Sequence, residues 1–176
     1  MPAASFSESR SMRTSITAPS GIKLPAATAV PGGTGTQAKA RSALPAAIEF
    51  GEQLHQLCAG TLGTFDLSIG IAFTCTTVQE WLPQAIAMQL HIVANELITN
   101  AVRHAFPARR GGRIAIFFHV PDTAWQLSVE HSGLGLGARG YPAPRLSKML
   151  VTRMGGQLEM RTVIGGMVYI ATVPRT

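Results

Sequence analysis

The side chains best suited to chemistry lie between positions 89 and 107, in the stretch QLHIVANELITNAVRHAFP. At about 100° of rotation per residue, one face of a helix there would carry the apolar or small residues Leu90, Ala94, Leu97, Ile98, Ala101 and Ala105. The opposite face would carry the polar residues Asn95, Glu96, Thr99, Asn100, Arg103 and His104. Glu96 and Asn100 are four residues apart, so their side chains lie one turn from each other with oxygens able to hold a metal ion or a water molecule. The stretch predicts a helix that packs by one face and presents chemistry on the other.

The pattern alone is also typical of a surface helix with a solvated polar side. The residue order N-E-L-I-T-N-A-V-R-H-A is more specific, because it closely resembles the asparagine box of the GHKL ATPases, which include gyrase, heat-shock chaperones, histidine kinases and MutL. It is most similar to the form N-E-L-x-T-N-A-x-x-H-A-F of sensor histidine kinases of the HWE type. This resemblance implies that Asn100 binds the Mg²⁺ that bridges the ATP phosphates, and that Glu96 assists at the metal or acts as a base. It also implies that Arg103 and His104 contribute to binding the nucleotide.

A second resemblance lies at residues 129–136, VEHSGLGL, which are similar to the first glycine box of the same family, V-x-D-x-G-x-G-L. Gly133 and Gly135 match its glycines, which let the backbone pass close to adenine with torsions that a Cβ would forbid. The family's aspartate, which accepts a hydrogen bond from the adenine amino group, is replaced by His131. A neutral imidazole can accept at one nitrogen, but it is larger and uncharged. We therefore expect Glu96 and Asn100 to face a pocket closed by His131, Gly133 and Gly135.

The second glycine box of the family, G-x-G-x-x-[LI], has no counterpart in this sequence, because residues 141–144, YPAP, occupy its place. Such a box lets backbone N–H groups at a helix start hold phosphates. The segment between the two boxes is also short, covering only about residues 137–140. Four arginines near the end of the long helix could face phosphates, or could form a solvated loop that complements the helix C-terminus: Arg103, Arg109, Arg110 and Arg113.

Hydrophobic periodicity predicts the elements that hold these residues. Helical spacing indicates two further helices, at residues 48–62 and 145–154, the second with Leu146, Met149, Leu150 and Met154 on one side. Alternation indicates strands at residues 67–74, 114–119, 125–130, 157–162 and 167–173, of which the second and third form a hairpin. This order predicts a two-layer α/β sandwich with a mixed sheet and the helices on one face. The resemblance covers about residues 48–174 and identifies the architecture as the Bergerat-type ATPase fold.

The resembled kinases carry their phosphorylated histidine on a two-helix hairpin, and most of that hairpin is missing here. His55 lies in L-H-Q-L-C, which is not a phosphoacceptor signature, so we expect a partly exposed helix histidine. The chain is therefore expected not to phosphorylate itself.

Composition excludes several classes of protein. Of the formal net charge of +6, residues 1–45 contribute +4, through five basic residues and Glu8, so the remainder carries too weak a basic field to predict nucleic-acid binding. Cys58 and Cys75 have apolar neighbours and no metal-ligand spacing, which predicts buried, reduced thiols. No apolar stretch is long enough to cross a bilayer, so we expect a soluble cytoplasmic protein with no membrane partner.

Residues 1–45 are rich in Ala, Ser, Thr, Pro and Gly, with prolines spaced so that no helix or strand could propagate. We expect a disordered tail there, followed by one histidine kinase-like ATPase domain at residues 46–176.

The function implied by the resemblance is that of the ATP-binding catalytic domain of a two-component histidine kinase, in a divergent form without its own phosphoacceptor. Its chemistry would be phosphoryl transfer from Mg·ATP, achieved mainly by positioning and charge neutralisation. Two alternatives stay open: an inactive pseudokinase module that binds a histidine kinase or a response regulator, and a serine kinase of the anti-sigma type. The implied partners are ATP with Mg²⁺ and a signalling protein.

Overall fold

The computed structural model of the chain describes residues 12–13, 47–64, 70–106, 111–134 and 143–175. Within these ranges the elements follow each other as β1 (Met12–Arg13), β2 (Ala47–Glu49), α1 (Phe50–Thr64), β3 (Ile71–Val78), β4 (Trp81–Pro83), α2 (Gln84–His104), β5 (Gly112–His119), β6 (Ala124–His131), α3 (Arg145–Arg153), β7 (Gln157–Val163) and β8 (Gly166–Pro174).

Six strands form one mixed sheet in the order β1-β3-β5-β6-β8-β7. β3 and β5 are parallel, whereas every other neighbouring pair in this sheet is antiparallel. A parallel pair requires a crossover connection, and α2 lies within that crossover. β2 and β4 pair separately, with Ile48 opposite Leu82.

The helices cover one face of this sheet. Along β6, the alternate residues Trp125, Leu127, Val129 and His131 are buried, and the residues between them are half-buried on the other face. α2 turns its apolar side to this core through Ala87, Leu90, Val93, Ala94, Leu97, Ile98 and Ala101. The predicted two-layer α/β sandwich is therefore confirmed, and so is the predicted packing face of the long helix.

The first helix begins later and ends later than predicted. α1 starts at Phe50 because Ile48 and Glu49 are paired in β2, and it continues through Gly60 to Thr64. The Glu49 carboxylate accepts the backbone N–H groups of Gly51 (3.1 Å) and Glu52 (2.8 Å), which caps the helix start. β2 and β4 were not predicted, since strands of three residues carry too little alternation to detect.

The strand predicted at residues 67–74 extends further toward the C-terminus. β3 begins at Ile71, after Gly70 with a φ of 76°, and extends to Val78. Its alternation is as predicted, because Ile71 and Phe73 are buried and Cys75 continues the same face. Leu67 and Ile69 lie outside the described residues.

The predicted apolar side of the last helix is partly wrong. On α3, Leu146 and Met149 are 42% and 58% exposed, whereas Ser147 is fully buried beside Leu150 and Val151. The face that packs therefore includes a serine in place of two large apolar residues. A polar group on a packed face needs a partner.

The prediction of a partly exposed His55 is also wrong. His55 is buried against the sheet, and its Nε2 lies 3.0 Å from Thr77 Oγ1. Nearby, Cys58 of α1 and Cys75 of β3 are free, buried thiols, as predicted. Their hydrogen bond and their burial raise the pKa of the Cys58 thiol. α1 is thus joined to β3 by buried contacts.

Only two residues of the predicted tail are described. Met12 and Arg13 form β1 and pair with Val78 and Thr77 at the sheet edge. Disorder in the rest of residues 1–45, and the domain boundary at residue 46, stay predictions. Among the described residues, no helix is both long enough and apolar enough to cross a membrane.

Candidate functional site

The polar residues of α2 point in two directions. Asn95, Thr99 and Arg103 follow one line along the helix and face α1, while Glu96 faces α3. Residues four apart, such as Asn95, Thr99 and Arg103, stay in line along a helix. Glu96 is one residue after Asn95, so its side chain points about 100° away from that line. The polar residues of α2 that were predicted to form one functional face therefore point toward two different helices, α1 and α3.

The side toward α1 is an open cleft with a volume of about 440 Å³. The residues that line it belong to both helices: Leu57, Gly60, Thr61, Thr64, Asn95, Thr99 and Arg103. Arg103 and His104 are both exposed at the C-terminal end of α2. Of the predicted phosphate-binding residues, Arg103 thus lies at a cleft that also offers hydroxyl and amide groups.

On the side toward α3, Glu96 makes a direct contact. Its Oε2 accepts the backbone N–H of Ser147 at 2.5 Å and also accepts the Ser147 hydroxyl. Sequence reasoning did not identify Ser147 as a site residue. The available signal was a serine on the packed face of a helix, three residues before Leu150, where a buried hydroxyl requires an acceptor.

Asn100 lies one turn beyond Glu96 on α2 and is half-buried. Its predicted role as the Mg²⁺ ligand requires a carbonyl oxygen directed at a space shared with the first glycine box. Gly135, which would help to close that space, lies outside the described residues. The pocket expected between these residues therefore stays a prediction.

His131 lies at the end of β6 and is only 1% exposed. Its ring is near two aromatic rings, with centroid distances of 6.3 Å to Phe106 and 6.2 Å to Tyr169. Burial lowers the pKa of His131, and the charge of Glu130 opposes that shift. The imidazole is therefore neutral at pH 7, as a hydrogen-bond acceptor for an adenine amino group would need to be.

The backbone after His131 packs directly on the C-terminal end of α2. Leu134 donates its N–H to the Ala105 carbonyl oxygen at 2.7 Å, and Ser132 donates its N–H to the Arg113 carbonyl at 2.9 Å. A Cβ on Gly133 would lie 2.1 Å from the Ala105 oxygen. The structure thus brings the first glycine box and the end of the asparagine-box helix into contact, and only glycine fits at position 133.

One of the four arginines is directed away from the site. Arg113 is paired with Glu130, and both residues alternate with the buried positions Ile114 and His131. They consequently lie on the sheet face opposite α2, where none of the described helices packs. Arg113 is thus engaged by Glu130 on the face away from α2, and Arg109 and Arg110 lie outside the described residues.

No family model matches the sequence, and no curated protein matches it. Solved structures do match. The blue-light activated histidine kinase EL346 of Erythrobacter litoralis superposes with a TM-score of 0.64 at 20% identity, over 72% of this chain and 42% of that one. Histidine kinase AdeS of Acinetobacter baumannii gives a TM-score of 0.59 at 13% identity, over 74% and 67% of the two chains. The catalytic domain of histidine kinase ThkA gives 0.57 at 16% identity, over 74% and 95%.

These likenesses define the fold. The described residues have the fold of these histidine kinase structures, which confirms the fold predicted from the sequence. The chain spans less than half the length of the EL346 kinase, and it corresponds in extent to the isolated catalytic domain of ThkA.

Proposed function

We propose that this chain is a divergent ATP-binding domain of a cytoplasmic two-component signalling kinase. The observation that carries the proposal is the contact between the first glycine box and the asparagine-box helix, at Gly133 and Ala105, within a histidine kinase fold. These are the two motifs between which the resemblance predicts adenine and metal to bind. The signalling partner would be a response regulator or a histidine kinase that supplies the phosphoacceptor.

The residues of the site suit Mg·ATP in their chemistry. Mg²⁺ prefers oxygen ligands and is usually held by one or two protein groups together with substrate phosphates. Asn100 supplies such an oxygen. His131 holds the position of the family's adenine acceptor, and its ring would accept from the adenine once the nucleotide displaces the groups that now bury it. When bound, the metal would neutralise phosphate charge. The exposed Arg103 and His104 at the end of α2 would add positive charge or hydrogen-bond donors for the phosphates.

The start of α3 favours a second candidate function. In this chain the Ser147 N–H at the helix start is bonded to Glu96, so it does not meet a phosphate. A domain that keeps the fold but lacks this phosphate contact could lose nucleotide binding and act as a pseudokinase module that docks a kinase or a response regulator. The two candidates differ in whether Mg·ADP binds at all.

Titration calorimetry of the full chain with ADP, with and without Mg²⁺, separates these candidates. We expect weak, Mg²⁺-dependent binding, because the phosphate contacts of the second glycine box are missing. Asn100→Ala should weaken it by a further factor of about 10 to 100, since a ligand of the metal is lost. Gln84→Ala, exposed at the other end of the same helix, is the control and should leave the affinity nearly unchanged.

Tight ADP binding that is insensitive to Asn100→Ala would contradict the metal role and reduce the asparagine box to a packed helix. No binding at any accessible concentration would favour the pseudokinase module.

A further inference from the structure

The contact between Glu96 and Ser147 joins α2 to the start of α3. Both donors of Ser147, its backbone N–H and its hydroxyl, reach the same carboxylate oxygen of Glu96. Ser147 is fully buried, so an unbonded hydroxyl there would carry its full desolvation cost. The partners are 51 residues apart in sequence, so the bond is tertiary.

The start of α3 has few other means of satisfying its N–H groups. The residue before the helix, Pro144, has no N–H and provides no side-chain cap. Arg145 donates its N–H to the Ala143 carbonyl at 2.8 Å, and Lys148 donates to the Pro144 carbonyl at 3.0 Å. Ser147, between Arg145 and Lys148 in sequence, instead donates its N–H to a residue of another helix, Glu96 of α2. Glu96 is therefore the side-chain cap of α3.

From this geometry we infer that Glu96 is a positioning residue, whose carboxylate fixes the start of α3 against the asparagine-box helix. The effect of this contact on nucleotide binding rests on the proposed function, whereas the cap itself does not depend on that function. A negative charge at a helix N-terminus is stabilised by the helix dipole, and each charge-assisted bond adds to that. This role replaces the base or metal role that the resemblance implies for Glu96.

The cap has a direct consequence for phosphate recognition. Helix N-termini bind anions through their free N–H groups. At α3 the carboxylate of Glu96 already occupies the Ser147 N–H, so this helix start is closed to a nucleotide phosphate while the cap is in place. Phosphate contacts are then left to groups at the end of α2.

A double-mutant cycle on the full chain tests the cap without any nucleotide. Urea unfolding followed by circular dichroism would compare Glu96→Ala, Ser147→Ala and the double variant. We expect Glu96→Ala to raise the equilibrium constant for unfolding by about tenfold or more. In the double variant, the increase in the equilibrium constant for unfolding should be at least about threefold smaller than the product of the two single increases. Each single change already removes the shared bond. Asn95→Ala, the exposed neighbour of Glu96, should change the constant by less than about threefold.

Single effects that multiply within about twofold would overturn the inference. If Glu96→Ala does not fold, the cycle is repeated with Glu96→Leu and Ser147→Ala, because leucine fills a similar volume but accepts no hydrogen bond.

Conservative replacement distinguishes positioning from catalysis. The amide oxygen of Glu96→Gln can accept both Ser147 donors, so a positioning role predicts ADP affinity and any phosphotransfer within about threefold of the parent. A general base cannot be replaced by an amide, and a loss of about a hundredfold or more in the transfer rate would assign that role to Glu96 instead. If the parent binds no nucleotide, the proposed function fails, while the unfolding cycle still decides whether Glu96 is the cap.

Discussion

The two sides of α2 are built differently. Toward α3 and the first glycine box, Glu96 is bonded to a buried serine, and Gly133 touches the Ala105 backbone with no room for a side chain. Toward α1, an open cleft of about 440 Å³ lies between the exposed sides of the two helices. Adjacent polar residues of one helix thus have different roles, since Glu96 bonds to α3 whereas Asn95 lines open space. Polar periodicity identifies a helix face, but its neighbours decide what that face does.

The largest expected effect comes from filling the closely packed side. Gly133→Ala places a Cβ 2.1 Å from the Ala105 oxygen and 2.6 Å from its carbonyl carbon, and both are backbone atoms. The strand end or the end of α2 must then move, so we expect a loss of about 3 kcal/mol or more in the free energy of unfolding. Urea unfolding of the parent and variant measures it.

Gly60→Ala is the matched control on the open side. A Cβ there meets no atom within 4 Å, and Gly60 lies inside α1. Alanine is the better helix former, so we expect a gain of about 0.5 to 1 kcal/mol. Equal losses for both variants would show that the contrast between the two sides is not one of packing.

An intermediate effect is expected from pH, through His131 on the closely packed side. Burial lowers the pKa of His131 in the folded protein below its ordinary value of 6.5, so protons bind more tightly to the unfolded chain. The stability contribution of the neutral imidazole is complete above pH 6.5 and is lost as the pH falls toward the folded-state pKa. We expect the free energy of unfolding to decrease by at most about 1.4 kcal/mol per pH unit for this residue.

His131→Phe should remove most of this dependence, because a phenyl ring keeps an aromatic group beside Phe106 and Tyr169 but does not titrate. Burial also lowers the pKa of His91, which lies on α2 and is only half-buried. His91→Gln is therefore the control and should remove a smaller part of the pH dependence. An unchanged pH dependence in His131→Phe would show that His131 is not held as a buried neutral ring.

Much of the fold was predictable because long elements carry repeated signals. The apolar face of α2 spans its 21 residues, and the alternation along β6 is unbroken over its 8. β2 and β4 have three residues each, too few for a period, and their pairing displaced the start of α1. Strand parity could also have indicated which sheet face Arg113 occupies, because it immediately precedes the buried Ile114.

The site was less predictable, because its contacts depend on distant residues. Nothing local to Glu96 indicates Ser147, and the bond forms only because α2 and α3 pack side by side. His131 and Gly133, which the motif resemblance assigns to the site, lie beside Phe106 and Ala105 at the end of α2. The resemblance could not indicate that the carboxylate of the asparagine box would cap the next helix.

The last prediction concerns the reactivity of the two buried thiols between α1 and β3. Cys58 and Cys75 are 2% and 1% exposed, and their mutual hydrogen bond and burial raise the pKa of the Cys58 thiol, so little reactive thiolate forms. In the structure α1 stays packed on β3 even though the cleft on its other side is open. A thiol reagent such as iodoacetamide should therefore label both cysteines at least about a hundredfold more slowly in the native protein than in urea. Cys58→Ser serves as the control that assigns the remaining rate to Cys75. Labelling at the unfolded rate without urea would show that α1 leaves the sheet in the native protein, and the open side of α2 would then reflect motion of α1 and not a fixed cleft.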